Sequence, residues 1–106
     1  MKAQAMKITT ETYNNVFERD GDCILCKKEV HPKRTSVLEC HHVVPKSHLG
    51  LGIEENLVML CTPHHQLATI HSGEIESYLK SIYPKWNKNE LIFSKEKFLK
   101  EGKYWG

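Results

Sequence analysis

The spacing of hydrophobic positions changes several times along the chain, and each change predicts an element. Tyr13, Val16 and Phe17 recur at i, i+3 and i+4, which predicts a helix through about Arg19 with these three as its buried stripe. Thr9 or Thr10 caps it, since each offers a side-chain oxygen to the free amides of a first helical turn. Residues 1–8 show no such spacing and read as a loose arm. From Thr35 to Val44, the residues Thr35, Val37, Leu38, Val43 and Val44 favour extended backbone and predict a first strand, ended by Pro45. Lys46 to Glu55 is a glycine-containing loop with Gly50 and Gly52, and Leu57 to Leu60 is an apolar run that suits a buried second strand. Thr62 caps the next helix, with Pro63 in its first position. Ser72 opens another helix, whose stripe Ile75, Tyr78, Leu79 and Ile82 is core, and Pro84 closes it. Leu91-Ile92-Phe93 reads as a short strand, and Ser94 caps a last turn holding Phe98 and Leu99.

Between the first helix and the first strand, Asp20-Gly21-Asp22 signals a turn. It delivers Cys23-Ile24-Leu25-Cys26, and the same two-residue spacing returns in Cys61-Thr62-Pro63-His64. Sulfurs separated in this way converge when the backbone curls, so each half can grip one side of a metal ion. A redox pair would need a βαβ pattern around it, and none is visible. The two halves predict a structural zinc site of three cysteines and a histidine: Cys23, Cys26, Cys61 and His64. Cys40 is the rival fourth ligand. The paired spacing favours His64 and leaves Cys40 as a small apolar residue.

Composition narrows the class without naming a function. The chain has 106 residues, 40% hydrophobic and 26% charged, as in ordinary globular domains. One domain spanning residues 1–106 is expected, with a core of about 16–71 and a C-terminal helix and tail over 72–106. A net charge of +2 argues neither for nor against nucleic acid. No apolar run has membrane-spanning length, and the first residues lack a signal-peptide core, so no membrane partner and a cytoplasmic setting are expected. There thiols stay reduced, which favours metal over disulfides.

Six of the seven histidines lie between Glu39 and His71, two of them paired as His41-His42 and two as His64-His65. Adjacent strand residues face opposite ways, so His41 and His42 suit two different tasks. His31, Lys33 and Arg34 read as a solvated loop, and His48 as a loop histidine. The tail interleaves Lys95, Lys97, Lys100 and Lys103 with Tyr104 and Trp105, which suits nucleic-acid contact or a plain solvated face.

The ordered set of His42, Asn56 and His65 resembles the HNH nuclease motif. Glu39 before the histidine pair, Pro45 after it, the glycine turn, and Asn56-Leu57-Val58 leading to Leu60-Cys61-x-x-His64-His65 are similar to the same family. The branch resembled is the phage and restriction type with an added Cys-x-x-Cys. The resemblance implies an α+β fold, the small ββα-metal core stapled by a structural zinc with flanking helices. It implies a metal-dependent DNA endonuclease that hydrolyses phosphodiester bonds. In it His42 is the general base, Asn56 fixes the ring of His42, and His41 and His65 hold a catalytic divalent metal such as Mg²⁺, Mn²⁺ or Ni²⁺. Relatives place a last histidine four residues beyond the equivalent of His65, where this chain has Thr69. His71 lies six beyond, about 240° around an ideal helix, and joins the metal only if the helix ends early, which Gly73 favours. DNA is the expected partner, with a phage packaging or restriction-system protein as a second. The competing readings are a non-catalytic zinc module that binds nucleic acid and a nuclease subunit active only with such a partner.

Overall fold

The computed structural model describes residues 2–28 and 37–94. The expected loop at His31, Lys33 and Arg34, the start of the expected first strand at Thr35, and the expected last turn and Lys-rich tail from Lys95 lie outside the described residues. The fold is a small α+β arrangement. Helices α1 (Lys2–Met6), α2 (Thr10–Asp20) and α3 (Ile24–Lys27) precede a two-stranded antiparallel sheet. Its strands are β1 (Leu38–His42) and β2 (Leu57–Cys61), and α4 (Thr62–Gln66) and α5 (Ser72–Ile82) follow. The connection between the strands carries two short 3₁₀ turns, Lys46–His48 and Glu54–Asn56.

Helix α2 starts where the sequence indicates: the Thr9 hydroxyl accepts a hydrogen bond from the Thr12 amide at 3.1 Å. It ends at Gly21, whose left-handed backbone (φ 75°) lets its amide donate to the Phe17 carbonyl. The predicted stripe is only partly right. Val16 is buried and Tyr13 half-buried, but Phe17 is 44% exposed, and Asp20 takes the fully buried place at the end of the helix. In α5, Ile75 and Leu79 are buried with Tyr78 beside them, as the spacing predicts.

Strand β2 is buried along its whole length and separates two apolar clusters. Val58 and Leu60 face one formed with Ile24, Leu25, Ile75, Leu79 and Trp86. Leu57 and Met59 face the other, with Val16, Tyr13 and Cys40. The register pairs Glu39 with Leu60, Cys40 with Met59, His41 with Val58 and His42 with Leu57. Cross-strand partners share a face, so Glu39 and His41 lie on one side of the sheet, Cys40 and His42 on the other.

Two further expectations change. Residues 2–6 form a helix with Ala5 packed against Leu51. Leu91-Ile92-Phe93 is not a strand: Lys88–Leu91 is a 3₁₀ turn, and Ile92 makes a single bridge to Gly50. Gly50 is needed for close approach, because a Cβ there would lie 1.7 Å from the Val44 carbonyl oxygen.

A sheet of two strands leaves each with an outer edge, and β2 is buried. On that edge the Met59 amide donates to Asp20 at 2.8 Å, and the Leu57 carbonyl accepts from Arg19 at 2.6 Å. Arg19 and Asp20 bond to each other through both carboxylate oxygens, at 2.7 and 3.1 Å. The Tyr78 hydroxyl also donates to Asp20, and Arg19 reaches the Glu54 carbonyl and Tyr83. Burial pulls the Arg19 pKa down, but the bonds to Asp20 and Tyr83 outweigh it and raise it overall. Two side chains thus do for the β2 edge what a third strand would do. Breaking a buried ion pair from one side costs about 3–5 kcal/mol, because the other charge stays buried. Asp20→Ala should therefore lose roughly that much in denaturant unfolding, while Glu18→Ala, on the exposed side of α2, should stay within about 0.5 kcal/mol. Equal losses for the two would mean that the edge does not depend on Asp20.

Candidate metal centre and histidine cleft

Helix α3 is one curl of backbone after Gly21. Cys23 at its cap and Cys26 within it reach the end of β2, where Cys61 closes the strand and His64 lies on the first turn of α4. The donor atoms of these four residues lie within 4.8 Å of one another. His64 Nδ1 is 3.2, 3.4 and 3.3 Å from the sulfurs of Cys23, Cys26 and Cys61, and Cys26 and Cys61 are 3.7 Å apart. A tetrahedral zinc with Zn–S of about 2.3 Å would set two sulfurs about 3.8 Å apart, so the cluster fits a structural metal such as zinc. Three of the four ligands are buried, and no disulfide links any of the cysteines. Without a cation, burial and the neighbouring Cys23 and Cys61 thiols push the Cys26 thiol up to about 12. A bound cation reverses that preference and holds thiolates. Cys40 stays apart from the cluster. It packs beside Val16 and Met59, and burial pushes its thiol up to about 11.

The remaining histidines divide between two places. His41 faces α4, its ring centroid 5.2 Å from that of His65. His65 Nδ1 is 2.9 Å from Glu39 Oε1, and Glu39 Oε2 accepts from the Thr62 hydroxyl at 2.7 Å. Thr62 is therefore not the helix cap; Cys61 holds the cap position, and the Thr62 hydroxyl anchors Glu39 instead. The bonds from Thr62 and His65 hold the Glu39 carboxyl below its ordinary pKa. If the carboxylate accepts from His65 Nδ1–H, the Nε2 lone pair is left free. Burial and the nearby His65 and His42 push the His41 pKa down to about 4.

His42 points to the other face. Its Nε2 lies 3.0 Å from the Met6 carbonyl oxygen, and burial lowers its pKa despite that bond. His41 and His42 still line one cleft of about 400 Å³, together with Ala68, Thr69, Ser72 and Lys88.

Asn56 does not touch the ring of His42 in the way the resemblance implies. Its amide accepts from the Val44 amide at 2.8 Å and donates to the carbonyls of Val44 and Leu51 at 3.1 and 2.8 Å. Its own backbone carbonyl accepts from Val43 at 2.8 Å. Asn56 is fully buried and fixes the chain just after His42, so its effect on the ring is indirect. His71 is set against His64, ring centroids 5.9 Å apart, with Glu74 3.9 Å from its Nδ1. Helix α4 ends at Gln66, earlier than the sequence indicates, and Gly73 falls inside the first turn of α5. His48 is exposed on its 3₁₀ turn.

The spacing of the sequence missed two contributors. Glu39 lies two positions before His41 on the same strand face, so the period of two could have paired them. The Met6 carbonyl leaves no mark in the residue pattern, because any residue supplies one.

Among the described residues, no helix is long and apolar enough to cross a membrane. No curated protein and no solved structure matches the chain. Residues 23–69, which hold the four-residue cluster, both histidine pairs and Asn56, match the family model described as HNH endonuclease. That match, over 23–69 of the 106 residues, supports a nuclease or nucleic-acid-related function in general terms.

Proposed function

We propose that the chain is a metal-dependent endonuclease that hydrolyses phosphodiester bonds in DNA, with His42 as general base and His41 and His65 as ligands of one divalent cation. The observation that carries this reading is the split of the histidine pair: His41 turns to His65 across the strand–helix junction, while His42 borders the same cleft from the other strand face. A cation such as Mg²⁺, Mn²⁺ or Ni²⁺ would supply positive charge to the phosphate and stabilise the leaving oxygen. The residues present suit it. His41 is held neutral by its low pKa, so its lone pair is open to a metal. Glu39 fixes the ring of His65 from behind, an arrangement that orients metal-bound histidines. His71 packs on the structural cluster, which leaves the remaining positions to water and phosphate oxygens.

His42 takes the proton from the attacking water. Neutral imidazole accepts it without a change of ligand elsewhere, because His42 lies on the opposite strand face from His41. Asn56 keeps the strand end rigid through four hydrogen bonds of side chain and backbone. The placement of His71 also favours a second reading. A cation held by only two protein ligands binds weakly, which suits a subunit that becomes active with a phage packaging or restriction-system protein, or a zinc module that holds nucleic acid without cutting it.

Supercoiled plasmid incubated with the protein and Mg²⁺, Mn²⁺ or Ni²⁺ separates these readings, since a binding module shifts the plasmid without nicking it. His42→Ala should slow cutting by roughly 10²–10⁴-fold, the usual share of a general base, while its structural zinc and fold stay intact. His41→Ala and His65→Ala should instead raise the concentration of divalent metal needed for half-maximal rate. A His42→Ala protein that cuts as fast as the parent would remove the base assignment.

One zinc per chain is expected on Cys23, Cys26, Cys61 and His64. Structural zinc in small domains contributes about 10–16 kcal/mol of binding free energy, as large as the whole stability of about 5–15 kcal/mol of a domain. Cys23→Ser should therefore lower zinc content and melt the fold, and Cys40→Ser should change neither. Elemental analysis that finds zinc lost in Cys40→Ser and kept in Cys23→Ser would overturn the ligand set.

DNA affinity should fall steeply with added salt and vary little with sequence, because phosphate contacts dominate binding by a small nuclease domain. Fluorescence anisotropy at two salt concentrations tests this. An unchanged affinity, or a strong preference for one short duplex, would count against it.

A further inference from the structure

Residues 2–8 precede the HNH match, and their packing is specific. Ala5 is 1% exposed against Leu51, with Ile53 and Phe93 around it. Its carbonyl accepts from the Gly52 amide at 2.9 Å. A Cβ on Gly52 would lie 2.3 Å from the Lys7 carbonyl oxygen and 2.9 Å from that of Met6, so only glycine lets the loop come this close. That approach sets the Met6 carbonyl 3.0 Å from His42 Nε2. A carbonyl oxygen only accepts, so Nε2 must carry the proton, and the lone pair of the neutral ring is on Nδ1.

We propose that residues 2–8 are part of the active site: by the Met6 carbonyl they hold His42 in its Nε2–H tautomer and make Nδ1 the base nitrogen. This rests on the reading of His42 as general base. Among the described residues of the HNH segment, Asn56 does not supply this group, because its side chain is spent on Val44 and Leu51. A neutral imidazole in water exchanges between two tautomers, and the wrong one turns an N–H toward the water it should deprotonate. The Met6 carbonyl removes that exchange and also stabilises the imidazolium that forms once the proton has moved. Met6 is a positioning residue through its backbone. Gly52 and Ala5 are what bring it there, since one admits the segment and the other anchors it.

The test uses the full chain loaded with zinc. ¹⁵N NMR of the His42 ring, assigned by the signals lost in His42→Asn, reports the tautomer directly. The parent should show one protonated and one unprotonated ring nitrogen, with Nε2 protonated. Ala5→Glu and Gly52→Ala each push the segment away by a different route, one by a buried charge and one by backbone contact. Both should give averaged ring signals and cut roughly tenfold more slowly or worse, a part of the general-base contribution, with zinc content kept. Gln4→Ala, exposed on the same helix, should behave as the parent. A parent with averaged signals overturns the proposal even if a variant fails to fold. So does a single Nε2–H tautomer that persists in both variants, or faster cutting by either, which would make the segment a cover over His42. A chain that cuts no DNA in any form defeats the nuclease reading instead, and the ring signals still decide whether the segment holds the tautomer.

Discussion

Strand β2 is buried along its whole length and, among the described residues, pairs with another strand on one edge only. A buried strand cannot leave its outer amides and carbonyls without partners, because each unpaired group costs about 1–3 kcal/mol. Arg19 and Asp20 answer that constraint by covering Met59 and Leu57. The consequence runs through the fold. Asp20 is also the last residue of α2 and receives the Tyr78 hydroxyl of α5, and Arg19 reaches the turn that ends in Asn56. The helices on either side of β2 are thereby tied to the strand that carries Cys61 at its end and leads into His64. A displaced β2 would disturb both the metal cluster and the histidine cleft.

The cluster of Cys23, Cys26, Cys61 and His64 adds a second tie at the end of the same strand. Among the described residues the apolar contacts are divided among three clusters, the smallest built on Ala5 and Leu51. The cluster around Val58 and Leu60 holds most of the buried apolar residues, yet a chain of this size can bury only a modest core, and such domains often rely on a metal. The two ties act on opposite parts of β2. The ion pair covers its first half, at Leu57 and Met59, and the cluster lies at its last residue, Cys61. On the other edge β1 pairs with β2 along its length and brings His41 and His42 to the cleft.

What the sequence made legible follows from local pattern. The equal spacings of Cys23–Cys26 and Cys61–His64 marked the cluster, and the 3.6-residue period marked α2 and α5. The apolar run at Leu57 to Leu60 marked the buried strand. What stayed hidden is contact between single polar atoms far apart in sequence. Asp20 reads as a turn residue beside Gly21, and nothing local shows that its carboxylate meets Met59. Residues 2–6 form a helix whose five residues cannot be stable alone, so its docking depends on Ala5 and on the missing side chain at Gly52. Phe17 fits the helical stripe and yet is exposed, because Asp20 and Arg19 turn that end of α2 toward the strand edge. The role of Asn56 was misplaced for a similar reason: its position in the chain identified it, but its partners are backbone groups that any sequence has.

The crowding of histidine has a geometric cause. A strand turns successive side chains by about 180° and a helix by about 100°, so an adjacent pair on either element reaches two neighbourhoods. On β1, His41 looks toward α4 and His42 toward the N-terminal segment. On α4, His64 drops into the buried cluster and His65 turns to Glu39 and His41. One strand end and one helix of five residues thus serve a closed four-ligand site and an open cleft at once. Single histidines would force a choice, since a residue committed to a buried metal cannot also face a substrate. The doubling lets a short chain place a four-residue Cys/His cluster and a histidine-lined cleft on the same two elements.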